Sequence, residues 1–225
     1  MIPFHTAIVT GGGRGIGAAA ARALTARGLA VTVFARTRKE IDGVVSAKGA
    51  ALAVAGDVSR EEDVARLVAE HERVLGPVDV LVSCAGILVR GLAEETSPAA
   101  FREVLDVNLV GPFLCARAVI PGMKARGRGR IVQVTSISGT LGTPEASAYN
   151  ASKWGLVGLT RCLAEELRPS GIACVGVSPG SVDTAMLAKT PFPPDMQPED
   201  VARVIAFAAL DAPFAITGAN LEVHG

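Results

Sequence analysis

Short runs of continuous apolar residues separated by helical segments recur along all 225 residues of this chain. The runs at 7–10, 30–34, 51–54, 80–83, 131–134 and 173–178, with a last one near 221–223, read as strands. A strand that is apolar on both faces must be covered on both, and intervening helices supply the cover and the crossover. The pattern therefore predicts an α/β protein: one doubly wound domain over residues 1–225, with a parallel sheet of about seven strands and helices on both faces. No repeat, low-complexity tract or long linker divides it, and the length is ample for a sizeable core.

Local signals mark some helix starts. Ser59-x-x-Glu62 has the form of a capping box, and Ser97-Pro98 opens another helix. Acids and bases balance at 22 each, so no global charge points to nucleic acid or an anionic membrane as partner. Cys84, Cys115, Cys162 and Cys174 form no Cys-x-x-Cys pair. Cys84, Cys162 and Cys174 lie in or beside apolar stretches and read as small buried hydrophobes in a reducing compartment. The first strand starts too early for a signal peptide, and no apolar run approaches the ~20 residues of a membrane span. The expectation is a soluble, cytoplasmic protein with no membrane or nucleic-acid partner.

Two places carry chemistry. After the first strand comes Gly11-Gly12-Gly13-Arg14-Gly15-Ile16-Gly17, then an Ala- and Arg-rich helical stretch from 18 to 27. A glycine-rich turn between strand and helix lets phosphates approach the backbone at a helix N-terminus, although such a cluster by itself is also an ordinary tight turn. Much later, Tyr149 and Lys153 stand at i and i+4, neighbours on one helix face, with Ser136 upstream. A free phenol has a pKa of about 10, and a nearby cation favours its charged form. Ser136 would hold a carbonyl oxygen while Tyr149 hands it a proton, which is half of a carbonyl reduction.

Together these residues resemble the classical branch of the short-chain dehydrogenase/reductase family. The matching motifs are Thr10-Gly11-x-x-x-Gly15-x-Gly17, Asn108, Ser136, Tyr149-x-x-x-Lys153, Pro179-Gly180 with Val182 and Thr184, and Ile216-Thr217-Gly218. They keep the family's order over nearly the whole chain, and their pattern is closest to 3-oxoacyl-[acyl-carrier-protein] reductase-like members. The resemblance implies a Rossmann fold and a catalytic set of Asn108, Ser136, Tyr149 and Lys153. It implies cofactor contacts from Gly11, Gly13, Arg14, Gly15, Ile16, Gly17, Arg36, Asp57, Val58, Cys84, Ala85, Gly86, Tyr149, Lys153, Pro179, Gly180, Val182 and Thr184. The family spacing selects Ser136 over its rival Ser138. Family members commonly form homotetramers or homodimers, and a homo-oligomer is expected here.

Charge bears on the cofactor. An NAD-selective site usually carries an acid at the end of the second strand; here the position falls on Ala35 and Arg36 follows. A guanidinium welcomes an extra ribose phosphate, and Arg14 is within reach of the same group, so NADP(H) is the expected cofactor. Asp57 matches the family's adenine contact and is equally a turn former or helix cap.

Pro112 has no N–H, so in a regular helix the carbonyl of Asn108 is left free. In the family the matching carbonyl holds a water that links the lysine to solvent. Two readings of Pro112 stand: it keeps this acceptor open, or it only kinks a long helix.

The chain departs from the family at Cys84-Ala85-Gly86, where Asn-Ala-Gly is usual, and at Val175, which replaces an asparagine. The missing amide implies a small loss of stability between strands. The resemblance implies a mobile lid over the substrate after Thr184; here that segment, from 185 to about 197, is short and stiffened by Pro191, Phe192, Pro193 and Pro194. Ile137, Leu141, Met186 and Leu187, with Leu88, are either apolar substrate contacts beside Ser136 and Tyr149 or ordinary packing. The basic run Arg126, Arg128, Arg130, with Arg168, is either a docking patch for an acidic carrier protein or a cation-decorated helix end. The expected substrate is a small-molecule or carrier-linked carbonyl compound, with no metal involved. Three functions follow: an NADPH-dependent ketoreductase acting on a ketone such as a 3-oxoacyl thioester, an oxidative alcohol or sugar dehydrogenase, and a non-catalytic NADP sensor.

Overall fold

Seven parallel strands form one sheet in the order β3-β2-β1-β4-β5-β6-β7 in the computed structural model, which describes residues 4–225. The strands are β1 (Thr6–Thr10), β2 (Ala30–Ala35), β3 (Leu52–Ala55), β4 (Val80–Ser83), β5 (Gly129–Val134), β6 (Ile172–Pro179) and β7 (Asn220–Val223). The expected doubly wound α/β architecture is therefore present. Strand order reverses between β1 and β4, and such a reversal opens a crevice at the carboxyl ends of the strands.

Helices cover both faces. On one side α1 (Gly15–Ala26), α2 (Arg38–Ser46) and α7 (Pro198–Ala206) pack through small residues such as Ala18, Ala19, Ala20 and Ala21. On the other side α3 (Glu61–Leu75), α5 (Gly111–Arg126) and α6 (Ser147–Leu167) bury Leu67, Met123, Leu163 and Leu167. Alternate side chains of each strand enter the two layers: Val80 and Val82 one, Leu81 the other.

The expected Ser97 cap forms. Ser97 Oγ accepts from Ala100 N at 3.1 Å, and Pro98 opens α4 (Pro98–Leu105). The Ser59–Glu62 capping box does not form. Asp57 Oδ1 accepts both from Ser59 N (2.9 Å) and from Ser59 Oγ (2.7 Å), so the hydroxyl is spent on a turn and the helix begins two residues later. Cys162 is exposed, contrary to expectation, while Cys115 and Cys174 are buried.

From Pro98 to Arg126 the chain is one helical run of 29 residues, apolar enough in its best window to match a membrane span. The sequence reading missed this because prolines, glycines and isolated charges interrupt the run without breaking the helix. Nearly half of that window is buried inside the fold. A π-turn at Asp106–Val110 separates α4 from α5. The i→i+4 bonding assumed around Asn108 is thus replaced by i→i+5, as in the bond from Gly111 N to Asp106 O. Pro112 follows the π-turn directly, inside this continuous run, where its missing N–H removes one bond of the helical ladder.

Candidate functional site

The crevice is a cleft of about 1010 Å³. Every residue the sequence reading assigned to cofactor or substrate lines it, and Asn108 stands just behind it.

At one end lies the glycine loop. Gly11 (φ 65°) and Gly15 (φ 53°) occupy the left-handed region that a Cβ disfavours. A Cβ on Gly17 would collide with the Gly11 carbonyl, and one on Gly11 would sit 2.7 Å from Ala85 Cα. The helix N-terminus behind the loop carries no side-chain cap. Its first N–H groups therefore lack a capping side chain beside the cleft, an arrangement suited to a pyrophosphate. These features fit a dinucleotide.

Beyond the loop, Arg36 follows β2 and faces Asp57 (Nη1–Oδ2 4.0 Å), and Arg14 faces Glu40 in the first turn of α2 (3.7 Å). Glu40, absent from the sequence reading, lies against the loop: a Cβ on Gly13 would be 2.9 Å from Glu40 Cβ. Val58 is buried and would meet a Cβ on Gly111 at 2.8 Å, so Gly111 lets the 58 turn close on the helix.

At the middle of the cleft, Thr10 Oγ1 accepts from Cys84 N (3.1 Å) and Ala85 N (3.3 Å), tying the ends of β1 and β4 together without an asparagine. Burial pushes the Cys84 thiol up to about 12, against the pull of Lys153, which leaves it protonated and poorly nucleophilic. A Cβ on Gly86 would lie 3.4 Å from Asn108 Oδ1 and 4.0 Å from Lys153 Nζ, so the bare glycine leaves room beside both.

Ser136, Tyr149 and Lys153 close the arrangement. Ser136 is 8% exposed at the end of β5 and caps a single 3₁₀ turn, accepting from Ser138 N at 3.1 Å. Its hydroxyl also bonds the Tyr149 phenol, an interaction that lowers the phenol pKa. Lys153, one turn further along α6, is buried. Its Nζ donates to Val134 O at 2.9 Å and lies 5.6 Å from the Tyr149 ring centre. Burial holds the ammonium down to about 8. The phenol, by contrast, is pushed above its usual value, because burial outweighs the Ser136 bond. The sequence argument expected the reverse direction from the nearby cation; in this dry site desolvation dominates.

Asn108 does not touch the cleft. Its side chain exchanges two bonds with Ile87 (Oδ1 from Ile87 N, 2.8 Å; Nδ2 to Ile87 O, 2.9 Å) and donates to Ser152 Oγ at 3.1 Å. Ser152 in turn donates to Tyr149 O at 2.6 Å. The loop after β4, the π-turn and α6 are thereby locked together beneath Tyr149 and Lys153. Thr10 was marked in sequence only as the head of the glycine motif, not as the tie between β1 and β4; Ile87, Val134 and Ser152 were not singled out, and of these only Ser152, beside Lys153, carried a polar signal.

The base of the 185–197 segment is closed by a bridge between Val182 and Met196, with Asp183 N donating to Met196 O at 2.9 Å. Ile137, Leu141, Met186 and Leu187 all line the cleft, Leu141 being largely exposed. The basic run is elsewhere. Arg126 Nη2 donates to Val78 O (2.6 Å), Arg128 pairs with Asp79 (3.3 Å), and Arg130, 6% exposed, donates to Ala212 O (3.0 Å). All three lie around the starts of β4 and β5, at the opposite edge from the cleft, and Arg168 pairs with Glu165 (2.8 Å). The cation-decorated helix end holds for Arg126, which with Lys124 closes the last turn of α5, while Arg128 and Arg130 lie beyond it and are drawn into the start of the sheet.

Comparison with known proteins gives consistent likenesses. The family described as short chain dehydrogenase matches residues 5–192. A 3-oxoacyl-[acyl-carrier-protein] reductase from Synechocystis is 36% identical, over 98% of this chain and 96% of its own length. A cis-4-hydroxycyclohexanecarboxylate dehydrogenase from Sinomonas cyclohexanicum is 38% identical over 98% and 95%. The crystal structure of a 3-ketoacyl-(acyl-carrier-protein) reductase from Brucella melitensis, complexed with NADH, superposes with a TM-score of 0.95 at 32% identity, covering 100% and 98%. A Beutenbergia cavernae structure assigned as an NAD(P)-dependent gluconate 5-dehydrogenase, with NADP bound at low occupancy, gives 0.89 at 35%, covering 99% and 96%.

Proposed function

This chain belongs to the short chain dehydrogenase family, and on that premise we propose an NADP(H)-dependent oxidoreductase that reduces a ketone to a secondary alcohol. The observation that carries the reading is the meeting of Ser136, Tyr149 and Lys153 in one cleft whose far end is a glycine loop at an uncapped helix N-terminus.

The loop and the start of α1 would hold the pyrophosphate, with Asp57 and Val58 at the adenine end. Arg36 and Arg14 would take the ribose phosphate. Cys84, Ala85, Gly86, Pro179, Gly180, Val182 and Thr184 would border the nicotinamide half. When bound, the cofactor supplies the hydride that reaches the carbonyl carbon. The chain's own residues do the rest. Ser136 Oγ donates to the carbonyl oxygen and polarises it. Tyr149, kept protonated by burial, is the donor for that oxygen as its charge grows. Lys153 is mostly cationic at neutral pH and favours the phenolate left behind. Asn108 acts through Ser152 and Ile87 to fix where these groups point.

Relatives named for 3-oxoacyl and acetoacetyl-CoA reduction support a 3-oxoacyl thioester as substrate. The hydroxycyclohexanecarboxylate relative favours a second reading, alcohol oxidation in the same site. The intact Ser136, Tyr149 and Lys153 set argues against a purely sensing protein. Outward apolar side chains on neighbouring helices, Phe113 and Trp154, support a homodimer or homotetramer, and the free cysteines support a cytoplasmic setting.

The test is oxidation of NADPH and of NADH against a ketone panel that includes a 3-oxoacyl thioester, with Tyr149→Phe in parallel. Turnover that prefers NADPH and disappears in Tyr149→Phe bears the reading out. Turnover that persists in the variant sinks the assigned mechanism, and cofactor binding without turnover of any ketone moves the weight to oxidation.

A further inference from the structure

Among the described residues, four cationic side chains line the cleft: Arg14, Arg36, Arg90 and Lys153. Two belong to the ribose end and one to the reactive group. Arg90 is left without an assignment.

Its surroundings are specific. The side chain is only 18% exposed, and it shares the cleft with Leu88, Ile137, Leu141, Met186, Leu187 and Phe192. Its hydrogen bond is to Glu145, from Nη2 to Oε2 at 2.9 Å. The next residue, Gly91, donates its N–H to Glu145 O, also at 2.9 Å. Glu145 stands four residues before Tyr149 and holds a φ of 60°, a conformation that a residue with a Cβ adopts only under constraint. Arg90 is also four residues past Gly86, beside Lys153, so its Cα lies no more than about 14 Å from that glycine's.

We propose that Arg90 recognises an oxyanion on the substrate, a carboxylate or a phosphate, and so makes the preferred substrate an apolar carbonyl compound with a remote negative charge. This rests on the reading of the cleft as a carbonyl-reducing site. The physical argument is exchange. A guanidinium set among apolar walls needs an acceptor at all times, because an unpaired charge there is costly. Glu145 supplies one while the cleft is empty, and its half-exposed carboxylate can turn to water when a substrate oxyanion takes over the fork. The oxyanion has two chemical sources: the carboxylate of a free oxo acid, or a phosphate on the arm of a thioester.

The experiment compares matched charged and neutral substrates. One arm uses 4-oxocyclohexanecarboxylate against its methyl ester; the other uses acetoacetyl-CoA against acetoacetyl-N-acetylcysteamine. Wild type should favour the charged member of a pair. Arg90→Ala should raise KM for that member roughly ten- to a hundred-fold, with the neutral member within about three-fold and kcat little changed. Arg90→Lys should recover part of the loss. Glu145→Gln should lower KM for the charged member, since a competitor is removed. The arm that responds identifies carboxylate or phosphate. Equal losses on charged and neutral substrates, or a Glu145→Gln variant that weakens binding as Arg90→Ala does, would make the pair a loop clamp and overturn the proposal. If no carbonyl is turned over, the proposed function fails by itself. Arg90 is then judged by calorimetric titration of cyclohexanecarboxylate against cyclohexanecarboxamide: tighter binding of the acid that is lost in Arg90→Ala supports the proposal, and equal binding overturns it.

Discussion

Arginines gather at both edges of the sheet and are held in opposite ways. At the edge where strands begin, Arg126, Arg128 and Arg130 turn inward to Val78 O, Asp79 and Ala212 O. At the edge where strands end, Arg14, Arg36 and Arg90 face carboxylates among the described residues, at 3.7, 4.0 and 2.9 Å. The first group is drawn into the fold, although Arg126 Nε and Arg130 Nε and Nη1 are buried there without a hydrogen-bond partner. The second is paired with partners that a ligand can replace. A basic residue's availability therefore depends on whether the fold offers it a main-chain carbonyl or a buried acid, or only a partly exposed acid, which no count of positive charges reveals.

Substitutions should separate the two edges. The largest effect belongs to the chemistry: Tyr149→Phe should cut turnover by about 10²–10⁴ while shifting the melting temperature little, as activity assays beside thermal unfolding would read. At the opposite edge Asp79→Ala should do the reverse. Asp79 is buried and accepts from His5 N (2.8 Å) and Arg128. Its loss should cost about 3 kcal/mol in denaturant unfolding with activity per folded molecule unchanged; a specific loss of turnover would break the division.

Acid should act on the same folding edge. His71 is fully buried against Thr32 (2.7 Å), and burial holds its pKa down to about 4 from an ordinary 6.5. The neutral ring is the form that folds. Its contribution is complete above pH 6.5, is lost as pH falls toward 4, and amounts to about 3 kcal/mol over that window. His71→Leu should flatten the pH dependence of stability there. The smallest effects return to the cleft. Arg36→Ala should weaken NADPH binding about ten-fold with NADH little changed, and Glu40→Gln should improve NADPH binding about three-fold by freeing Arg14. Titration with each cofactor reads both.

The sheet was legible because central parallel strands are apolar on both faces, so β4 was placed at 80–83 as found and the others within two residues. The loop and the Ser136, Tyr149, Lys153 group were legible because their chemistry restricts the residue types. What escaped depends on three-dimensional competition. Asp57 captured Ser59 before it could cap a helix. Arg130 sits within a strand whose neighbours bury it. Cys162 falls on the outer face of a helix whose inner face was the apolar one. Burial reversed the direction expected for Tyr149.

The π-turn before α5 makes Asn108's aim a matter of counting. One residue more than a regular helix needs is stored between α4 and α5, and each residue of a helix turns the next by about 100°. Deleting any one residue from 106–110 would let the segment relax to a plain α-helix and rotate one flank relative to the other. Asn108 would then face away from Ile87 or from Ser152, with every side-chain type in the site still present. A relative with all the familiar residues and a one-residue gap at this point would carry the motif without the machine.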